Sequence, residues 1–400
     1  MSVLIARHFG PGKFGQINYV AAYIAILQIF VLCGFDGNVL NDLGIGLYPE
    51  SMILGTVITV RSFLAGIGFC IGLVLFYFFL DKSLITIYVI MGIQLFLYPF
   101  YIFKQWYQIK SLNKYVVIAS QASLFAVSAV KISIVLLSRD VIWYAVALTG
   151  GTIIEVFILS LLKRNMDNNN ILRFNKKYCK YLFHRSLPLL FSGFMGMIYL
   201  KIDQIMIGKM LSSYEVGVYS LAVTVSELIY FVPTVIINAV YPKIAEAKKN
   251  DIGYEDIIVK TASLNVIVCL LFAIIITFIA PFFVKIFYGS AYFLSVRVIQ
   301  IHAWGGIFIA VGVSHACYLI FNDLQKYAMF SLGCAAVLNI IGNYILIPMH
   351  GINGAAIMSV VSYAFSSWIF FIFMPDKRTF ILRTKSFLMH QLLIGKKGVD

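Results

Sequence analysis

The chain has 400 residues, of which 61% are hydrophobic and 12% are charged. A water-soluble domain carries about 25% charged residues, so this chain has half of the charge that a surface facing water needs. The composition excludes a soluble globular protein and indicates a polytopic membrane protein. Long apolar runs alternate with short polar connectors, which favours transmembrane helices over the strands of about 10 residues that build a barrel.

Eleven apolar runs are long enough to cross a membrane, since a spanning helix needs about 17 to 25 residues. In chain order the predicted spans are Ile17–Phe35, Met52–Leu80, Leu84–Phe103, Val116–Leu137, Val141–Leu162, Leu187–Gly208, Val216–Val240, Ile257–Ala280, Val298–Phe321, Tyr327–Ile347 and Ile352–Met374. The predicted fold class is therefore all-α.

Most of the 31 Lys and Arg residues lie in one alternate set of connectors and in the C-terminal tail. By the positive-inside rule this set faces the cytoplasm. The connector 36–50 is an exception, because it belongs to the set yet holds three acidic residues and no basic one. The net charge of +14 thus indicates membrane topology and contact with anionic lipid head groups, not nucleic-acid binding.

An internal repeat is indicated by Arg7-x₇-Gly15 and Lys209-x₇-Gly217, each of which comes just before an apolar run. Shifting the span that begins at Leu187 back by the same offset predicts that Met1–Ala6 are the last turns of a helix whose beginning is missing. That segment is also too short for a signal peptide.

We therefore expect two six-helix lobes in which the first helix is largely missing. The predicted divisions are a first lobe at 1–162, a basic cytoplasmic linker at 163–186, a second lobe at 187–375 and a basic cytoplasmic tail at 376–400. Repeats of this kind are typical of transporters.

No pattern indicates a cofactor or a bound metal. The six cysteines show no CxxC spacing and are typical of small apolar fillers. The segment Gly10–Gly15 lacks the spacer and the Ser or Thr of a phosphate-binding loop. His302 and His315 lie about 140° apart around a helix, so they do not form a metal-binding pair.

Several segments resemble the polysaccharide-biosynthesis flippases of the Wzx type, in the multidrug/oligosaccharidyl-lipid/polysaccharide exporter superfamily. They are Ala6-Arg-His-Phe-Gly-Pro-Gly-Lys-Phe-Gly-Gln-Ile-Asn-Tyr19, Ile202-Asp-Gln-Ile-Met-Ile-Gly208, Tyr214-Glu-Val-Gly-Val-Tyr-Ser220, Ala239-Val-Tyr-Pro-Lys-Ile244, Asn339-Ile-Ile-Gly-Asn343 and Gly351-Ile-Asn-Gly-Ala-Ala356. The resemblance implies twelve helices in two lobes around a central cavity. It also implies export of an undecaprenyl-pyrophosphate-linked oligosaccharide of the O-antigen or capsule type.

Charged residues within the spans are the candidate site residues, because a charge at the bilayer centre costs about 3 kcal/mol and usually faces a protein interior or a wet cavity. Asp203, Glu227 and Glu155 are the candidates for ion coupling, with a proton or sodium as the ion. For Asp203 and Glu155 the alternative is pairing with another helix, and for Glu227 it is a hydrogen bond that packs two helices.

Arg61, Lys131 and Lys201 are the candidate substrate-binding cations, since a pyrophosphate group that crosses lipid needs its charge compensated. The alternative for Lys131 and Lys201 is that each reaches the membrane surface along its own stem. For Arg61 the alternative is an interfacial position in the long second span.

The sequence thus predicts a secondary transporter that flips the lipid-linked oligosaccharide across the bacterial inner membrane, with its C-terminus in the cytoplasm. It is not predicted to be an enzyme. Expected partners are the lipid-linked substrate, a coupling ion, anionic lipids and the polymerase and chain-length proteins of the same pathway. The alternatives are a small-molecule or multidrug exporter of the same superfamily and a membrane polysaccharide polymerase.

Overall fold

A computed structural model describes residues 2–137, 140–166 and 171–388, and every regular element in these ranges is helical. The first helices are α1 Ser2–Leu32, α2 Asp36–Ile45, α3 Glu50–Val74, α4 Ile85–Leu97, α5 Ile102–Ile109, α6 Asn113–Leu136, α7 Val141–Met166 and α8 Lys176–Met210. They are followed by α9 Ser213–Glu227, α10 Phe231–Lys249, α11 Tyr254–Phe287, α12 Ser295–His302, α13 Gly305–Ser314, α14 Ala316–Phe321, α15 Gln325–His350, α16 Ile352–Ser367 and α17 Lys377–Phe387. Short 3₁₀ turns occur at Lys82–Leu84, Tyr98–Tyr101, Leu228–Tyr230, Ser290–Tyr292 and Ile369–Ile372, and a π-helical turn at Leu75–Phe79.

The eleven predicted spans are confirmed. Within the described residues, eleven helical segments are long and apolar enough to cross a membrane, and each contains most of one predicted run. Several consist of two consecutive helices, such as α9 and α10, which join through the turn at Leu228–Tyr230. The predicted basic tail lies partly beyond the described residues, and its described part contains α17.

Two helix breaks match the offset of the sequence repeat. Gly10 interrupts α1 with φ 71° and ψ 174°, a conformation that glycine adopts without steric cost. Ser212 precedes α9 with φ −158° and ψ 171°, and its hydroxyl accepts a hydrogen bond from the backbone N–H of Tyr214. Both breaks therefore end one helix and start the next at equivalent places in the repeat.

The chain divides into two compact units, Met1–Lys201 and Ile202–Asp400, and the division falls inside α8. In the first unit an apolar core gathers side chains of α2, α3 and α5, including Val39, Val57 and Trp106. In the second unit a core centred on α11 and α14 includes Ile258 and Tyr318. The four predicted divisions of the chain, with a linker at 163–186, stay a prediction.

A buried arginine joins three helices of the first unit. The guanidinium of Arg61 in α3 is fully buried, and its Nη2 donates to the Leu32 carbonyl at 3.0 Å and to Oδ1 of Asp36 at 2.9 Å. Gln105 in α5 donates to the same carboxylate oxygen at 2.8 Å. Asp36 also lies in the first turn of α2, where the helix dipole favours a negative charge.

The second unit buries an arginine in a different way. Arg383 of α17 lies 3.8 Å from the ring centre of Phe371 and donates to the Ser367 carbonyl. Burial lowers the pKa of its guanidinium to about 9. The same helix turns Ser386 toward Nε2 of His315 at 2.9 Å, so α17 is attached to this unit by polar as well as apolar contacts.

We predict that Asp36→Ala destabilises the protein by about 3 kcal/mol, because it leaves the buried Arg61 guanidinium without its acidic partner. The value is at the low end for a buried pair because 43% of the Asp36 side chain is exposed. Thermal unfolding of the purified protein in detergent measures the loss.

Asp140→Ala is the matched control. Asp140 forms an ion pair with Lys13 at 3.0 Å, but more than half of each side chain is exposed. Exposed pairs contribute about 1 kcal/mol or less. Equal losses of stability in the two variants would contradict the anchoring role of the Arg61–Asp36 pair.

Candidate functional site

Asp203 is the centre of a polar cluster in the second unit. It lies on α8, only 5% of it is exposed, and three other helices supply its neighbours. Tyr219 of α9 donates to Oδ2 at 2.7 Å, and Ser359 of α16 donates to the same oxygen. Asn343 of α15 donates to Oδ1 at 2.6 Å. The carboxylate therefore ties together four helices.

The positions of these neighbours follow from helix geometry. Asn339 and Asn343 are four residues apart on α15, so both face the same side of the helix. Nδ2 of Asn343 also donates to Oδ1 of Asn339 at 2.8 Å. Gly342 lies beside them, and the space that a side chain would occupy there is filled by Met358 of α16, so the two helices pack closely.

Among the described residues, the carboxyl group of Asp203 is held by neutral donors alone. Every hydrogen-bond donor to Asp203 within the described chain is a hydroxyl or an amide, and no described Lys, Arg or His side chain forms an ion pair with it. The Oδ1 atom of Asn343 is buried and has no hydrogen-bond partner among the described residues. A buried charge usually has a counter-charge or a bound cation. Here carboxylate, amide and hydroxyl oxygens are together, and such oxygens are the ligands that hard cations prefer.

A second polar group lies one turn further along α16. Tyr363, four residues after Ser359, places its hydroxyl 3.4 Å from Nε2 of the buried His302. The hydroxyl of Tyr230 lies 3.0 Å from Nδ1 of the same ring. His302 is thus hydrogen-bonded between two tyrosines, while His315 contacts Ser386 instead, and no described group of three or more His, Cys, Asp or Glu residues could hold a metal ion.

Glu155 is paired within the first unit. Its Oε1 lies 2.9 Å from Nζ of Lys104, and its Oε2 accepts a hydrogen bond from the Tyr101 hydroxyl at 2.8 Å. Lys104 also lies 3.8 Å from the ring centre of Tyr101. The structure thus gives Glu155 a basic partner, unlike Asp203.

The three candidate cations lie in different surroundings. Arg61 has no exposed surface in this conformation, so it has no atom with which to touch a substrate. It is enclosed by protein. Lys131 is half-buried, with Nζ 5.3 Å from the ring centre of Tyr144. Lys201 is half-buried two residues before Asp203 on α8, and Asp203 bonds to other helices.

Glu227 ends α9, at the 3₁₀ turn Leu228–Tyr230, and is half-buried. The contacts described here bring none of the six candidate residues directly against another. Each of the six residues has its own surroundings. Among them, only Asp203 is a deeply buried carboxylate held by neutral donors. The roles assigned to Arg61, Lys131, Lys201, Glu155 and Glu227 stay predictions.

The partners of Asp203 were not predicted from the sequence. Tyr219, Asn339, Asn343 and Ser359 carry no charge, so they do not stand out in an apolar run. One signal was available, because two asparagines spaced by four within a span place two amides on one helix face. Such amides need partners inside the protein.

Comparison with known proteins identifies the family to which the chain belongs. Residues 4–297 match the sequence model of a family described as polysaccharide biosynthesis protein. A curated relative, the capsular polysaccharide biosynthesis protein CapF of Staphylococcus aureus, is 23% identical over 201 residues. The match spans 49% of this chain and 48% of CapF, about half the length of each.

Two solved structures have the same fold. The lipid II flippase MurJ in an inward closed conformation matches with a TM-score of 0.72 at 14% identity, over 99% of this chain and 91% of that one. An inward-facing multidrug resistance MATE family transporter of the MOP superfamily matches with a TM-score of 0.68 at 12% identity, over 98% and 93%. The chain belongs to the polysaccharide biosynthesis protein family and has the fold of the multidrug/oligosaccharidyl-lipid/polysaccharide exporter superfamily.

Proposed function

We propose that the protein is a secondary transporter that flips an undecaprenyl-pyrophosphate-linked oligosaccharide across the bacterial inner membrane by alternating access. The C-terminus lies in the cytoplasm, and the transporter works beside the polymerase and chain-length proteins of the same pathway. It does not act as an enzyme. A cation, sodium or a proton, binds at Asp203 and drives the cycle.

The observation that carries the coupling proposal is the Asp203 carboxylate, buried in a span and held by neutral donors alone. Such a carboxylate keeps its negative charge only at a high cost in free energy. A proton or a sodium ion removes most of that cost, so the cluster has a reason to bind a cation. Because Asp203, Tyr219, Asn343 and Ser359 belong to four helices, binding and release change the contacts between those helices.

The proposed substrate rests on the family. The family model is described by polysaccharide biosynthesis, CapF by capsular polysaccharide biosynthesis and MurJ as a lipid II flippase. A polysaccharide repeat unit is too polar to cross lipid alone, which makes a flippase a necessary step of such a pathway. The likeness to a multidrug transporter is one of fold, and drug export is the rival that the next experiment separates.

We predict that deleting the gene makes single lipid-linked repeat units accumulate on the inner leaflet and abolishes the surface polysaccharide. Leaflet location is measured by accessibility of the sugar to a membrane-impermeant lectin or hydrolase in vesicles of known orientation. Accumulation on the outer leaflet would instead indicate a polymerase. Normal polysaccharide together with new drug sensitivity would indicate a multidrug exporter.

We predict that Asp203→Asn abolishes the surface polysaccharide without loss of the protein from the membrane, because the amide keeps the size of the carboxylate and removes its charge. The purified wild type should be stabilised by the coupling ion. A ligand at 100 times its dissociation constant contributes roughly 2.7 kcal/mol, so thermal unfolding in sodium, potassium and choline salts and across pH detects it.

Asp323→Asn is the control, since Asp323 is an exposed turn residue with φ 55°, a conformation that asparagine also adopts. Stabilisation specific to sodium and lost in Asp203→Asn would identify sodium, and a response to pH alone would identify the proton. Wild-type polysaccharide and an unchanged ion response in Asp203→Asn would contradict the site.

A further inference from the structure

The first turns of α8 present a basic face. Residues at spacings of three and four lie on one side of a helix, and on this side five side chains are exposed. They are Lys177, Lys180, Tyr181, His184 and Arg185. The opposite side is buried through Tyr178, Leu182 and Ser186. We call the five exposed residues the basic face of α8.

A buried acid fixes the end of this face. Nη1 of Arg185 donates to Oδ1 of Asp42 at 2.9 Å and to the Tyr181 hydroxyl at 2.8 Å. Asp42 is 1% exposed, and its other oxygen accepts a hydrogen bond from Tyr178 at 3.1 Å. Arg185 keeps the donors on Nε and Nη2 for a ligand, and Tyr181, which accepts from Arg185, keeps its own proton to donate.

The basic face lines a recess of about 610 Å³. Within the described part of the chain, its lining consists of the five residues of the face, none of which is acidic. The side chains that border this open volume carry two ammonium groups, a held guanidinium, a hydroxyl and an imidazole, and these groups lie at the ends of the stems that form most of its wall. Phosphate oxygens are the groups that such donors bind best, because charge-assisted hydrogen bonds are about twice as strong as neutral ones.

The recess lies where α8 enters its apolar run. Leu187 begins the predicted span two residues after Arg185, so the basic face lies at the level of the lipid head groups, on the side that the positive-inside rule assigns to the cytoplasm. A phosphate group attached to a lipid chain is held at this level, whereas a free phosphate is not. The expected ligand is therefore a phosphate-bearing lipid.

The equivalent helix of the second unit lacks this face. At the repeat offset of 202 residues, Lys180 and Tyr181 correspond to Leu382 and Arg383 of α17, both of which are buried.

Two basic residues at the start of α17 are engaged within the protein. Arg378 forms an ion pair with Glu255 at 2.7 Å, whose hydrogen bond raises the pKa of the guanidinium. Lys377 donates to the Ile372 carbonyl at 2.6 Å. If the basic face served only to place positive charge on the cytoplasmic side, α8 and α17 should both present one. Because α17 does not, we infer a specific role for the face on α8.

We propose that the basic face of α8 binds the pyrophosphate head group of a polyprenyl-linked glycan at the cytoplasmic leaflet, as the loading site of the transporter. This inference rests on the proposed function for the identity of the lipid. Lys177 and Lys180 supply the charge that the pyrophosphate requires, and Arg185 and Tyr181 supply fixed donors.

The test measures binding of undecaprenyl pyrophosphate to the full-length protein in nanodiscs of neutral lipid. Lys177→Gln with Lys180→Gln should weaken binding roughly tenfold or more, as expected for the loss of two charged contacts. The control is Lys377→Gln with Lys385→Gln, which removes the same charge from α17 and should bind like the wild type. Phosphatidylglycerol at the same mole fraction should not displace the ligand.

Wild-type affinity in the Lys177/Lys180 variant would overturn the site. Displacement by phosphatidylglycerol as effective as by undecaprenyl pyrophosphate would also overturn it, since the face would then be a general contact with anionic lipid. A separate experiment, export in the deletion strain, tests the proposed function. A deletion strain with normal export contradicts the flippase, while binding that depends on Lys177 and Lys180 still supports this site.

Discussion

Every charge placed in an apolar helix must find its partner inside the protein, because lipid offers none. The first unit meets this constraint with ion pairs, Arg61 with Asp36 and Glu155 with Lys104. The second unit places Asp203 among neutral donors. The two charges of an ion pair neutralise each other, and the pair holds its helices together. The proposed coupling follows from this difference, since a mobile cation would supply the counter-charge that no described residue supplies to Asp203.

The fold was largely predictable from the sequence because each span is a long apolar run bounded by polar residues, and all eleven runs became helical spans. The breaks were less visible. Leu228–Tyr230 is a 3₁₀ turn inside one predicted span, and the apolar pattern does not change there. The partners of Asp203 could not be predicted, since Asn343 and Ser359 are 140 and 156 residues away in sequence. Helices that are apolar on all sides do not reveal which side faces a neighbour.

The repeat shows how one scaffold carries two chemistries. Leu112-Asn-Lys-Tyr115 at the start of α6 corresponds to Leu324-Gln-Lys-Tyr327 at the start of α15. On that register Lys131 occupies the place of Asn343. The second unit has an amide there, bonded to a carboxylate, and the first unit has an ammonium against the ring of Tyr144. Equivalent positions thus hold a lysine beside an aromatic ring in one unit and an amide bonded to a carboxyl group in the other.

The same constraint decides where substrate-binding cations can be found. Arg61 is a basic residue inside a span. Its guanidinium is hydrogen-bonded to Asp36 and the Leu32 carbonyl, and none of its surface is exposed in this conformation. Lys177 and Lys180 are exposed and precede the predicted span that begins at Leu187. Arg61 is thus a structural charge in this conformation, whereas the roles of Lys131 and Lys201 stay predictions. The proposed head-group site instead uses charges just outside those runs, where exposure to water makes a charge less costly.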